Sequence, residues 1–227
     1  MKLDIERRTY DAELRVDTAG YGKKTPTIRG YAAKFNTLSQ SMPIYDEGRM
    51  IGTFREQLIP GCFSSSLATS DTRCLVNHDP NLILGRTISG TLRLKEDETG
   101  LFFENDPPDT SYSRDLQVSM SRGDISQCSF GFRVAKGGSD TIKDPDVPNG
   151  YIRSIRKVEG LFDVSPVTYP AYLDTNCDVA VRSIVTTIIE SEEAVKAAVK
   201  EQEEAERRQA LYIKRKRLEL AEIECVA

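Results

Sequence analysis

QCSFGFRV, residues 127–134, places Cys128, Phe130, Phe132 and Val134 on one side of an extended chain and Ser129, Gly131 and Arg133 on the other. The apolar side predicts a strand with one face in a core. The opposite side then holds a serine beside a glycine, with open space expected above it. Working outward, residues 27–35 (TIRGYAAKF), 74–78 (CLVNH), 90–95, 100–104, 151–158 and 161–167 read as further strands, about seven in all. The charged link EDET joins the pair 90–95 and 100–104 as a hairpin. Short helices are expected near residues 61–68 and after a Thr110 cap, where Tyr112, Leu116 and Met120 recur every four residues and Gly123 ends the run. Many short strands with few helices argue a mainly β fold, a closed barrel or a sandwich with helices laid against it. Residues 136–149 (KGGSDTIKDPDVPN) read as an exposed, mobile loop.

A change of composition divides the chain. After Ser183 there is neither glycine nor proline, and Ala, Glu, Lys, Arg, Leu and Ile dominate. Residues 183–227 therefore read as a helical charged tail, appended to a domain over residues 1–182. Ile184, Ile188, Val195 and Val199 form one apolar stripe, which a polar run at 200–209 interrupts before the basic cluster Lys214–Arg217. Such a segment suits docking on a partner helix, or else a solvated charged face.

Composition excludes several chemistries. A net charge of -4 provides no global basic field for nucleic acid. No apolar run reaches the roughly 18–20 residues of a membrane span, and the charged N-terminus does not read as a secretory leader, so a cytosolic protein is expected. The five cysteines are scattered without a CxxC pair, which argues against a disulfide framework or a cysteine zinc site. One histidine, His78, rules out every mechanism needing two in one chain, HExxH zinc sites included. The run GYGKKT from Gly20 lacks the first glycine of a phosphate loop, since Asp17 stands at that place.

Three residues could carry chemistry. His78 follows a strand on which Cys74 and Val76 share its face, and precedes Asp-Pro, so its ring can reach solvent at an edge. Taken alone, it reads first as a structural or incidental histidine; a metal would need Asp79 as a second ligand. Ser129 faces away from the core beside Gly131, as a nucleophile attacking a polypeptide carbonyl must, although an ordinary surface serine fits the same pattern. Cys128 is a rival nucleophile directed inward, where thiols are inert. Asp163 shares a face with Leu161, Ser165 and Val167; a carboxylate in an apolar strand is costly unless hydrogen-bonded. The imidazole N–H of His78 would be its natural partner, a surface salt bridge the alternative.

The fragments GYAAKFN, FREQLIPGCF, NHD with LGRT, LRLKEDETGLFFE, RGDISQCSFGF and DVSPVTYPAY occur in this order between about residues 28 and 175. In this the chain resembles the caudovirus prohead proteases and is distantly similar to the herpesvirus assembly protease, assemblin. The resemblance implies a closed, assemblin-like β-barrel of about seven strands with peripheral helices and an active site on its outer wall. It implies a serine endopeptidase that removes scaffolding segments from capsid precursors inside the assembling prohead, in the host cytoplasm, and also cleaves itself. Position by position, His78 matches the family histidine and Ser129 the family serine. Herpesvirus enzymes add a second histidine; this chain has none, so an acid is expected, Asp163 first, with Asp124 and Glu159 as runners-up. The turn near Pro170–Tyr172 is the expected source of oxyanion donors. No cofactor or metal is implied. The implied partners are the major capsid precursor with its scaffolding region, the portal and further copies of the chain, with neither nucleic acid nor membrane among them. The rival from another class is a non-catalytic assembly chaperone on the same fold.

Overall fold

The computed structural model describes residues 5–10, 14–17, 25–46 and 49–169, and in the C-terminal part residues 181, 185, 186, 189, 193, 196–209, 211 and 212. The chain divides into two units, Met1–Val181 and Arg182–Ala227. In chain order the first unit holds β1 (Glu6–Tyr10), β2 (Arg15–Val16), β3 (Ile28–Lys34), β4 (Met42–Asp46), β5 (Arg49–Leu58), α1 (Ser64–Thr69), β6 (Arg73–Val76) and β7 (Asp79–Arg86). It continues with β8 (Leu92–Glu96), β9 (Gly100–Asn105), α2 (Ser111–Arg122), β10 (Gln127–Val134), β11 (Ser139–Lys143), β12 (Gly150–Ile155) and β13 (Val158–Val167). In the second unit residues 196–209 are helical. Of the apolar stripe expected there, Ile184, Ile188 and Val195 lie outside the described residues, as does the Lys214–Arg217 cluster.

Three sheets form, in the orders β1-β10-β13-β6-β7, β11-β12-β5-β4 and β2-β3-β9-β8. The mainly β class agrees with the sequence reading; the closed, assemblin-like barrel does not. Closure requires one continuous ladder with no edge, whereas each of these sheets ends on edge strands among the described residues. Alternating polarity specifies a wall with one buried face, and a barrel wall and a sheet look alike in that pattern. Which edges meet is decided by contacts far apart in sequence.

The core forms where the alternating strands turn their apolar sides together. Phe130 stacks on Phe132 at 4.8 Å between ring centroids and meets Phe63 edge-on at 5.7 Å. Ile28, Leu58, Cys74, Leu101, Phe103 and Val164 complete its centre, all fully buried. The hairpin β8–β9 forms where expected. Helix α2 starts after Thr110 and stops at Gly123, whose φ of 83° is the left-handed cap that glycine adopts without strain. Thr110 makes no side-chain cap; its hydroxyl is buried without a partner.

Six strands, β1, β2, β4, β5, β7 and β11, were not expected, and the reason in β1 and β5 is buried charge. On β5, Gly52, Phe54, Glu56 and Leu58 all face inward, so an acid interrupts the apolar alternation. On β1, Glu6 and Arg8 are 2% and 3% exposed. Arg8 Nε donates to Glu56 Oε1 at 2.8 Å and Arg8 Nη2 to Glu6 Oε2 at 2.9 Å. Arg153 of β12 completes the group, donating to Glu6 at 2.7 Å and to Glu56 at 2.8 Å. Two acids and two arginines thus tie β1 of one sheet to β5 and β12 of another. The expected mobile loop at 136–149 contains β11, paired antiparallel with β12. Its Asp144 accepts two hydrogen bonds from Arg55, each 2.8 Å.

Candidate active site

Strand β10 lies inside its sheet, with β1 on one side and β13 on the other. Ser129 is opposite Thr9 of β1 and Ser165 of β13. Cys128, Phe130 and Phe132 join the core, so the alternation read from the sequence holds for this strand. The space expected above the serine is absent: Ser129 is 0% exposed. Nor is the glycine next to it an opening. A methyl group on Gly131 would come 2.5 Å from Asp163 Oδ2, so the carboxylate occupies the volume the missing side chain leaves. The methyl of Ile5 closes in from the other side at 3.4 Å.

Asp163 reaches that place because β13 carries a bulge. Gly131 is opposite Asp163, yet Phe132 is opposite Leu161, which leaves Phe162 as the extra residue. Leu161 therefore turns into the core at 1% exposure instead of sharing the Asp163 face, as simple alternation predicts. Beyond the bulge, Asp163 and Ser165 stay on the side of Ser129.

His78 is not on a strand. β6 ends at Val76, which pairs with Asp79 at the start of β7, so Asn77 and His78 form a two-residue hairpin loop. Their φ angles, 52° and 59°, give the positive φ at both central residues that a primed hairpin turn requires. The turn is tied to the end of β13. Asn77 N donates to Pro166 O at 3.0 Å, Thr168 N donates to Asn77 Oδ1 at 2.8 Å, and Asn77 Nδ2 donates to Thr168 Oγ1 at 3.2 Å.

The turn and the bulge bring three side chains into line. His78 Nδ1 lies 2.5 Å from Asp163 Oδ1, and His78 Nε2 lies 2.8 Å from Ser129 Oγ. Asp163 Oδ1 also accepts the Ser165 hydroxyl at 2.6 Å, from a serine that is fully buried. With the carboxylate ionised, Nδ1 carries the proton and Nε2 is left to accept from Ser129. An imidazole so placed can take a proton from the hydroxyl, and the carboxylate can stabilise the resulting cation.

The other candidates stand elsewhere. Asp124 pairs with Arg122 at 3.2 Å and Glu159 with Arg133 at 2.9 Å. Asp79 accepts from the backbone and side-chain amides of Asn81. Cys128 is fully buried, and desolvation pushes its thiol well above the usual range, as it does for Cys62 and Cys74. Pro170–Tyr172, the expected oxyanion turn, lies outside the described residues. Sequence reasoning passed over Asn77, placed Ser165 on the Asp163 face without a role, and read Gly131 as an opening beside Ser129. What Gly131 and Asn77 do depends on a bulge and a turn that no local pattern marks.

Among the described residues no group of three or more His, Cys, Asp or Glu is placed to hold a metal ion. No helix among them is long and apolar enough to cross a membrane. Residues 11–188, more than half of the chain, match the family model described as caudovirus prohead serine protease. Over 171 residues the chain is 29% identical to the prohead protease of Enterobacteria phage HK97, a match covering 74% of this chain and 64% of that protein. The chain thus spans less than two thirds of the length of that curated relative. No solved structure matches.

Proposed function

This chain belongs to the caudovirus prohead serine protease family, and from that premise we propose that it is a serine endopeptidase with Ser129 as nucleophile, His78 as general base and Asp163 as its orienting acid. The observation that carries the reading is the unbroken run of two hydrogen bonds from Asp163 through His78 to Ser129. Ser129 Oγ attacks the scissile carbonyl carbon as its proton passes to His78 Nε2. The tetrahedral adduct collapses, the C–N bond breaks, and the amine leaves with the proton from His78. Water, deprotonated by the same imidazole, then hydrolyses the acyl ester on Ser129. Asp163 keeps the proton on Nδ1 throughout and stabilises the imidazolium.

The substrates in this reading are the scaffolding segments of capsid precursors, and the enzyme itself, inside the assembling prohead in the host cytoplasm. The major capsid precursor, the portal and further copies of the chain are its partners. The segment 183–227 serves as a docking and self-processed tail, and residues 1–182 as the protease domain.

One observation favours a second reading, an assembly chaperone without catalysis: the full burial of Ser129. A fluorophosphonate probe separates the two. Labelling of the purified protein at Ser129, lost in Ser129→Ala together with precursor cleavage, is the expected result. Absence of labelling, with precursor processed equally by wild type and Ser129→Ala, would sink the protease assignment.

A further inference from the structure

Resting on the assignment of Ser129 as nucleophile, we propose that Arg7 is a catalytic residue, the side-chain donor that receives the oxyanion. A serine on a sharp turn can offer backbone amides to the tetrahedral intermediate. Ser129 sits instead on a strand paired on both sides, with Thr9 and with Ser165, so the amides along β10 serve the two ladders. Negative charge developing above β10 must be met by a side chain or by another segment.

The sheet presents a cation at that place. Arg7, Gly131, Asp163 and Arg73 stand opposite one another in one row across β1, β10, β13 and β6. Directly opposed residues project from the same face of a sheet. Glu6 and Arg8 turn inward to the buried quartet, so Arg7 between them turns outward, to the side of Ser129. Gly131, directly across from it, carries no side chain, and the volume this leaves is taken by the Asp163 carboxylate, so Arg7 faces the reacting groups across Gly131 beside that acid.

The other arginines of this face are occupied. Arg73 pairs with Asp71 at 2.9 Å, and Arg133 pairs with Glu159 at 2.9 Å while stacking over Phe162. Among the described residues Arg7 has no acidic partner, and its Nε is buried without a hydrogen bond. A buried donor left unpaired on a cationic group is costly, and in native proteins such a group calls for an explanation, a catalytic role among them. The partner with matching charge is the oxyanion. As Ser129 Oγ bonds to the carbonyl carbon, the π pair moves onto oxygen and the hydroxyl proton moves to His78. An Arg7 N–H then donates to that oxygen, and the bond weakens when the carbonyl re-forms and the leaving group departs.

The test compares p-nitrophenyl acetate with p-nitrophenyl thionoacetate, hydrolysed by the full-length protein, with Ser129→Ala rates subtracted. The two share a leaving group, but sulfur accepts hydrogen bonds poorly, so only the oxygen ester gains from a donor. Arg7→Ala is expected to lower kcat on the oxygen ester by roughly 10²–10³-fold, to lower it far less on the thionoester, and to leave KM nearly unchanged. Arg7→Gln, which keeps a neutral donor and much of the length, should fall between and covers the case of a poorly folding alanine variant. Asp163→Asn should lower both rates alike. Equal losses on both esters in the Arg7 variants would reduce Arg7 to a positioning residue and overturn the proposal. So would unchanged rates, or a change confined to KM. If the wild type itself neither labels at Ser129 nor turns over the oxygen ester beyond Ser129→Ala, the nucleophile assignment has failed, and this proposal with it.

Discussion

At Gly131 a single methyl group decides whether Asp163 can hold its place. The carboxylate lies where a Cβ would be, 2.5 Å from it, and a side chain cannot share that volume. Gly131→Ala is expected to displace Asp163 from His78 and lower kcat by about 10²-fold, since a shift of roughly 1 Å in a positioned group costs that much. Fluorophosphonate labelling of Ser129 should slow but persist; full activity in Gly131→Ala would show that the carboxylate has another place to go. Asp163→Asn should reduce turnover by roughly 10²–10⁴-fold through the wrong imidazole tautomer. Asp124→Asn and Glu159→Gln should process precursor normally, because both acids are held in ion pairs with Arg122 and Arg133. A dead Glu159→Gln with an active Asp163→Asn would reverse the assignment.

The hairpin turn between β6 and β7 is the element that aims His78, the proposed base. Asn77 tolerates positive φ better than most residues, and its side chain also clamps Thr168. Asn77→Ala combines left-handed strain of about 1–2 kcal/mol with loss of the clamp. Both stability and activity should fall. Asn77→Gly relieves the strain and keeps the backbone bond to Pro166, so its melting temperature should recover relative to Asn77→Ala while activity stays low. Equal activity in wild type and Asn77→Gly would mean that the turn alone, without the clamp, fixes His78.

Across the whole first unit, the quartet of Glu6, Arg8, Glu56 and Arg153 joins two sheets through charge buried between them. Burial pushes the Glu56 carboxyl up, but the charges of Arg8 and Arg153 and their hydrogen bonds outweigh it and hold the group below the usual carboxylate range. A folded pKa below the unfolded one means that the unfolded chain binds more protons. The contribution is therefore present above the ordinary glutamate range near pH 4.3 and is lost as pH falls below it. Glu56→Ala leaves two arginines buried against Glu6 alone and should cost about 3–5 kcal/mol near neutral pH. Its penalty should shrink in denaturant titrations run below pH 4. A penalty independent of pH would mean that packing, not charge, is what the substitution removes. For the tail, a chain ending at Arg182 should cleave soluble precursor in trans yet fail to enter assembling shells; efficient packaging would remove the docking role.

From its residues alone this chain was readable as mainly β, with a core side and a polar side to β10, two short helices and a charged helical tail. His78 and Ser129 were picked out by resemblance to a family the later match supports, and Asp163 by the cost of an acid in an apolar strand. Local chemistry suffices for the faces of β10, because polarity at a two-residue period dictates which side of a strand is buried. Tertiary structure alone decided the rest. Sheets with edges replace a closed barrel because pairing partners lie far apart in sequence. Ser129 is covered, not open: it stands between β13 and β1, whose charges hid it as a strand, and His78 lies over its hydroxyl. The bulge at Phe162 turns Leu161 inward and leaves Asp163 over Gly131, and the turn at Asn77 carries His78 to both. Each depends on a register between strands, and a register has no signature in either strand by itself.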